Sequence, residues 1–119
     1  MRSVLVLLAV VMAGCAHTKL PEIEGTVPVF TTQLRGEPHA ASRCIVSVIE
    51  SLGTSASVRD FGSETQVVWE MQRRRSPLGL FTLTKTPDVA RSDVELRMSP
   101  GREAEPMARR WQKELEGCQ

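Results

Sequence analysis

The sequence predicts an α+β domain in which a helix, three or four antiparallel strands and a second helix form a two-layer sandwich. Three observations support this fold class. Apolar residues recur every three or four positions in residues 38–52 and again in residues 104–115, whereas they alternate with polar residues within residues 58–98. Because each predicted helix has a single apolar stripe, we expect both helices to cover the same face of the sheet.

The first helix is predicted over residues 38–52. Pro38 suits the first turn of a helix, and Gly53 is a typical stop signal. The apolar residues between them follow helical spacing: Ala41, Cys44, Ile45, Val48, Ile49 and Leu52. The segment therefore has one side suited to a core and one suited to water.

Strands are predicted where the apolar period falls to two. The segments are residues 58–61, 65–72, 78–86 and 93–98. Turns are expected at Gly62 and Ser63 and across residues 73–77. In the last strand we expect Val94, Leu96 and Met98 to face the core, because the residues between them are charged.

A second helix is predicted near the carboxyl terminus. Ser99 and Pro100 could cap it, and Pro106 would delay its start to Glu105. Its apolar stripe consists of Ala104, Met107, Ala108, Trp111 and Leu115, and Gly117 follows its end. We expect Trp69 and Trp111 to be core residues.

The domain is predicted to occupy residues 38–119, after a flexible tether at residues 15–37. The tether carries several helix and strand breakers, and its apolar residues show no sustained period. An alternative interpretation is that residues 27–32 add an edge strand to the sheet.

The first fifteen residues have the charge order of a secretory signal. Arg2 precedes an apolar run at residues 4–12, which is too short to span a bilayer, and the run ends in Ala13, Gly14 and Cys15. Small residues directly before a cysteine resemble the lipobox of bacterial lipoproteins, in which Met12 stands at a position where the family prefers Leu. The alternative is an ordinary secretory peptide, with Cys15 an incidental thiol.

The resemblance implies that residues 1–14 are removed and that Cys15 carries a diacylglyceryl thioether. Many lipoproteins add a further acyl chain, such as palmitate, to the new amino terminus, and two or more chains hold a protein stably on a membrane. Ala16 fits the sorting of lipoproteins to the outer membrane in enteric bacteria. We therefore expect the periplasmic face of the outer membrane, with the inner membrane as the alternative.

The number of cysteines favours a disulfide-bonded protein, and the charge balance gives no support to a nucleic-acid-binding one. With Cys15 acylated, Cys44 and Cys118 remain as a pair, and we predict a disulfide between them. A redox pair is the alternative, but the spacing is not Cys-x-x-Cys. Loss of Arg2 leaves the mature chain formally neutral, so nothing favours nucleic-acid binding.

The sequence contains no set of residues typical of catalysis, so we predict a protein that is not an enzyme and uses no cofactor or metal. His17 lies in the predicted tether and His39 at a helix start, without further His or Cys at metal-ligand spacing. No Gly-x-Ser-x-Gly motif is present, and no Lys follows a Gly-rich turn. We interpret both histidines as solvated.

The basic triplet Arg73, Arg74 and Arg75 is the one local concentration of charge in the mature sequence. It is either a solvated hairpin tip or a contact for an anionic partner such as a lipid headgroup or another envelope component. The leading hypothesis is a non-enzymatic binding or accessory module in the bacterial cell envelope. The alternatives are an inhibitor or immunity-type lipoprotein acting on a cell-wall hydrolase and, last, a carrier of a small apolar ligand.

Overall fold

The computed structural model describes residues 19–72, 76–100 and 104–119. In chain order the elements are α1 (Leu20–Glu24), β1 (Phe30–Arg35), α2 (Pro38–Ser51), β2 (Ser55–Asp60), β3 (Glu64–Glu70), β4 (Pro77–Lys85), β5 (Arg91–Met98), α3 (Ala104–Glu114) and a 3-10 turn at Glu116–Cys118. This order is α+β, as the sequence predicts.

The strands form one antiparallel sheet in the order β1-β5-β4-β3-β2. Strands β2 to β5 follow one another in the chain and are neighbours in the sheet. The predicted count of three or four strands is too low, because β1 adds a fifth strand at the free edge of β5.

Strand register separates the residues into two faces of the sheet. Val67, Phe81 and Leu96 lie side by side on neighbouring strands and are fully buried. We call their side of the sheet the inner face. The next residues along the strands lie on the opposite side, the outer face, because successive side chains alternate. Its corresponding row is Val68, Leu80 and Arg97.

Two helices cover the inner face. Ala41, Ile45 and Ile49 recur every four residues along α2, and all three belong to the main core cluster together with Trp111 and Leu115 of the carboxyl-terminal segment. Helix α2 matches the segment predicted from its period, and Gly53 follows its end with a φ of 77°, a conformation that favours glycine.

The predicted tether at residues 15–37 needs correction, because the folded part of the chain begins well before residue 38. Helix α1 lies within this segment, and its Ile23 is fully buried against Val68 and Leu80 of the outer face. Strand β1 also lies within it and pairs with β5, burying Leu34 completely. A third helix on the outer face means that the arrangement is not the predicted two layers.

The carboxyl terminus is fastened to α2 by a disulfide between Cys44 and Cys118, as predicted. The two Cα atoms lie 5.9 Å apart, and the bridge closes a loop over a sequence separation of 74. In the chain-entropy model, a loop of this length stabilises the folded state by about 4 kcal/mol.

Candidate functional site

An open pocket lies where the end of α2, helix α3 and one end of the sheet meet. Its volume is about 410 Å³, which is within the range of ligand pockets. We call it the Met-Trp pocket, defined by its lining residues: Leu52, Thr54, Trp69, Met71, Leu78, Met98, Met107, Arg110 and Trp111.

The antiparallel order of the strands brings these residues together. Trp69 lies near the end of β3, Leu78 at the start of β4 and Met98 at the end of β5, so all three lie at the same end of the sheet. Gly79 pairs with both Trp69 and Met98. A Cβ atom at Gly79 would lie 3.2 Å from the Met98 sulfur, so the absence of a side chain lets Met98 lie across β4.

Trp69 and Trp111 contribute aromatic rings to the lining of the pocket, and Phe81, which is not a lining residue, packs against Trp111. The Trp111 ring meets Trp69 edge to face at a centroid distance of 5.1 Å and Phe81 at 4.8 Å. Such pairs contribute about 0.5 to 1.5 kcal/mol each beyond their buried area. The prediction that both tryptophans are core residues is confirmed, since Trp69 is 7% and Trp111 1% exposed.

The two indole N–H groups differ in their hydrogen bonding. Trp69 Nε1 donates to Thr54 Oγ1 at 2.9 Å, and Thr54 Oγ1 donates to the carbonyl oxygen of Ile49 at 2.8 Å. This chain of bonds holds the Trp69 ring against the end of α2. Trp111 Nε1 is buried and has no hydrogen-bond partner within the described residues, and an unpaired buried donor costs about 1 to 3 kcal/mol.

Among the lining residues that the structure describes, Arg110 is the one ionisable residue. Arg110 is exposed on α3. Among the ranges that the structure covers, no carboxylate lies within 4.0 Å of its guanidinium group. Its hydrogen-bond donors are therefore available to an anionic group at the mouth of the pocket.

The outer face carries two shallower depressions of about 360 Å³ and 340 Å³. Their linings are mixed: polar residues such as Thr82 and Glu95 lie beside the apolar Val94 in one and Leu80 in the other. Arg97 partly neutralises this surface, since it lies 2.9 Å from Glu95 and donates from Nε to the carbonyl oxygen of Thr26 at 3.0 Å. Residues 19–72, 76–100 and 104–119 contain no group of three His, Cys, Asp or Glu residues placed to hold a metal ion.

Several residues singled out in the sequence lie elsewhere. Cys15 and the triplet at residues 73–75 are outside the described residues, as is His17. His39 is exposed at the start of α2, with its Nδ1 atom 3.8 Å from an Asp60 carboxylate oxygen. The Ser99 hydroxyl, predicted to cap the last helix, donates to the carbonyl oxygen of Pro77 at 3.2 Å, and α3 begins at Ala104.

The sequence analysis missed the Met-Trp pocket, although it placed the tryptophans in the core. The sequence did contain a signal for this pocket. Both tryptophans and the three methionines that follow Cys15 line the same pocket. In a row of antiparallel strands, the end of one strand lies beside the start of the next, so Met71, Leu78 and Met98 could have been assigned to one end of the sheet.

Comparison with protein-family models found no match, and no curated protein matches this chain. Within the described ranges, no helix is both long enough and apolar enough to cross a membrane.

Proposed function

We propose that this chain is a lipid-anchored binding module of the bacterial cell envelope. In this proposal residues 1–14 are a signal sequence, Cys15 carries the lipid, and the domain lies on the periplasmic side of the outer membrane. The binding role is supported mainly by the Met-Trp pocket, an open and mainly apolar site of about 410 Å³. A disulfide fastens the carboxyl terminus of the same domain.

The disulfide supports an extracytoplasmic location. Structural disulfides persist in the bacterial periplasm and are rare in the reducing cytosol. The Cys44–Cys118 bridge fits the same compartment as the lipobox resemblance, although the two features involve different cysteines. Agreement between these two independent features is the basis of the proposed location.

The chemistry of the pocket supports binding in preference to catalysis. Among the described lining residues, the one hydroxyl belongs to Thr54 and is already engaged with Trp69 and Ile49, and the one ionisable group is a guanidinium. A guanidinium stays protonated at physiological pH, so it can hold an anion but cannot act as a general base. The remaining lining is aliphatic, aromatic or thioether.

The proposal retains the basic triplet at residues 73–75 as a contact for an anionic envelope component. These residues directly follow Met71 and Gln72 in the sequence and precede the start of β4. Strands β3 and β4 both contribute residues to the pocket. Arginine forms bidentate bonds with phosphate and carboxylate groups, so such a contact would orient the domain on an anionic surface.

An inhibitor or immunity role remains the second candidate, and one surface favours it. The hairpin between β2 and β3 exposes Val58 by 44% and Phe61 by 53%. The Arg59 guanidinium lies 5.2 Å from the centre of the Phe61 ring. Exposed aromatic and arginine residues are typical of contacts with a protein partner, so a wall hydrolase would be recognised through this hairpin.

Intact mass spectrometry of the native protein extracted from membranes tests the proposal directly. We expect a chain that begins at an acylated Cys15, with Cys44 and Cys118 alkylated only after reduction. A Cys15→Ser variant is the control and should lose the acyl mass. An unacylated native chain, or Cys44 and Cys118 that react without reduction, would contradict the proposed anchor or compartment.

Photo-crosslinking in cells distinguishes the two candidate functions. A photoreactive residue at position 71 reports on the Met-Trp pocket, and one at position 61 reports on the hairpin, since both native side chains are about half exposed. The binding-module proposal predicts adducts from position 71. Specific adducts from position 61 with an identified wall hydrolase would instead support the inhibitor.

A further inference from the structure

We propose that the Met-Trp pocket binds a single aliphatic chain that ends in an anionic headgroup. The chain would lie against the methionine and tryptophan side chains, and the headgroup would meet Arg110 at the mouth. This inference rests on the proposed binding role and adds the chemical class of the ligand. It corresponds to the carrier of a small apolar ligand, the last of the hypotheses that the sequence raised.

The lining of the pocket suits a flexible chain better than a rigid ring. Met71, Met98 and Met107 contribute three thioether side chains, which adapt to irregular apolar shapes. Trp69 and Trp111 contribute aromatic rings, which are held by the edge-to-face contact between them. A lining with adaptable methionine side chains and fixed tryptophan rings can accommodate different conformations of one aliphatic chain.

Arg110 determines the sign of the headgroup. A carboxylate or phosphate at the mouth would accept hydrogen bonds from its guanidinium, whereas a cationic headgroup would be repelled.

Tryptophan fluorescence gives a direct probe, because the chain has two tryptophans and no tyrosine. Both tryptophans line the pocket, so the emission of the whole protein reports on this site. The protein for the test is the disulfide-bonded chain of residues 15–119 with Cys15→Ser, which contains every described residue. We expect dodecanoate, kept below its micelle concentration, to change the emission saturably and a brominated analogue to quench it with the same midpoint.

Two matched pairs of variants locate the binding. Met71 is 46% and Val58 is 44% exposed, so Met71→Glu and Val58→Glu introduce the same charge at equal exposure, but only the first lies in the pocket. We expect Met71→Glu to weaken dodecanoate binding by about tenfold or more, because like charges repel at a contact. Val58→Glu should bind as the parent protein does.

The second pair is Arg110→Gln and Arg109→Gln, neighbours on α3 of which only Arg110 lines the pocket. Loss of an exposed ion pair should weaken dodecanoate binding by up to about fivefold in Arg110→Gln and leave Arg109→Gln unchanged. Circular dichroism and thermal unfolding confirm that each variant is folded. Since Arg110 is exposed, this pair remains decisive even if Met71→Glu is unstable.

Other ligands distinguish two possible sources of the aliphatic ligand, phospholipid breakdown and free fatty acids. Dodecanol should bind more weakly than dodecanoate and be insensitive to Arg110→Gln, because it lacks the charge. Tighter binding of lysophosphatidylglycerol than of dodecanoate would assign the ligand to phospholipid breakdown, and the reverse order to free fatty acids. No saturable response to any of them, or equal effects of the Arg110 and Arg109 variants, would overturn the inference.

The outcomes also separate this inference from the proposed function. A native chain that is acylated at Cys15 but does not respond to these amphiphiles would retain the anchored module and overturn the ligand class. A chain that binds dodecanoate with the expected variant effects, but is not acylated in cells, would retain the ligand class and overturn the anchor.

Discussion

The two faces of the sheet use the same strands but differ in what covers them. On the inner face, buried residues such as Phe81 and Leu96 pack under α2 and α3, and the Met-Trp pocket opens at one end. On the outer face, α1 covers Val68 and Leu80, while the rest includes Glu95, Arg97 and other polar residues. Because successive side chains of a strand lie on opposite faces, most apolar residues of the strands pack into the core on the inner face, whereas many of the polar residues lie on the outer face.

The comparison also explains why we place the proposed aliphatic chain on the inner face. Beside Val94 and Leu80, the outer depressions are lined by many hydroxyl, amide and charged groups, with Glu95 in both. These groups lose hydrogen bonds to water when an apolar chain covers them. The Met-Trp pocket buries mainly apolar surface, and burial of that surface is favourable at about 25 cal/mol per Å².

The largest difference between the faces should appear at two adjacent residues of β4. Phe81 is fully buried on the inner face, and Thr82 lies next to it on the outer face. We expect Phe81→Ala to lower the free energy of unfolding by about 3 to 5 kcal/mol, through the cavity and the lost Trp111 contact. Thr82→Ala should change it by less than about 1 kcal/mol.

Chemical denaturation of both variants measures this comparison. The assignment of the two faces would be wrong if Thr82→Ala were as destabilising as Phe81→Ala. A second outer-face variant is Thr84→Ala, at a half-buried position two residues further along β4, and it should also change the free energy of unfolding by less than about 1 kcal/mol.

Removal of the disulfide should have the next largest effect. We expect the double variant Cys44→Ala, Cys118→Ala to lose about 2 to 4 kcal/mol, because the unfolded chain regains the entropy of a long loop. Amide hydrogen exchange should show that Trp111 and Leu115 become less protected than the strands. Unchanged exchange at the carboxyl terminus would mean that packing alone holds α3 on the inner face.

Helix α1, which covers part of the outer face, should detach more easily than the helices of the inner face. Ile23 is fully buried, but it belongs to a helix of five residues and to a small cluster. We expect Ile23→Ala to cost about 2 kcal/mol or less, because α1 can open locally without unfolding the sheet. Hydrogen exchange checks this: α1 should lose protection while α2 keeps it, and a global loss would show that α1 is part of the main cooperative unit.

The smallest effect is expected at the outer ion pair between Glu95 and Arg97. The Glu95 side chain is 44% exposed, so solvent screens the pair. Glu95→Gln should change the free energy of unfolding by less than about 0.5 kcal/mol, and the change should diminish in high salt. A loss well above 1 kcal/mol in urea denaturation would show that the outer face contributes more than its exposure indicates.

Much of the fold could be predicted because its signals are local. The four-residue spacing in α2 identified the helix, and the alternation of Val94, Leu96 and Met98 with charged residues identified both β5 and its inward face, which the burial of these three residues confirms. The disulfide followed from the number of cysteines once Cys15 was set aside.

The elements within residues 15–37 were harder to predict for a physical reason. The sequence offered an edge strand at residues 27–32 only as the alternative interpretation, and β1 lies at Phe30–Arg35. Burial alternates along β1, but only Leu34 is fully buried and Thr32 interrupts the apolar side, and the pairing with β5 joins residues about 60 positions apart. Helix α1 begins beside Pro21 and is followed by Gly25, which together suggest a loop. The pocket was missed because its shape depends on five elements that meet only in the folded chain.

The central claim is that the ligand site lies on the inner face, in the Met-Trp pocket. Methyl-labelled NMR of residues 15–119 tests it most directly, since Met71, Met98 and Met107 are the methionines of that chain and Ile23 reports on the outer face. During a dodecanoate titration, we predict that the three methionine methyl signals shift with one midpoint while the Ile23 methyl signal does not move. Static methionine signals, or a saturable shift at Ile23 alone, would contradict the claim.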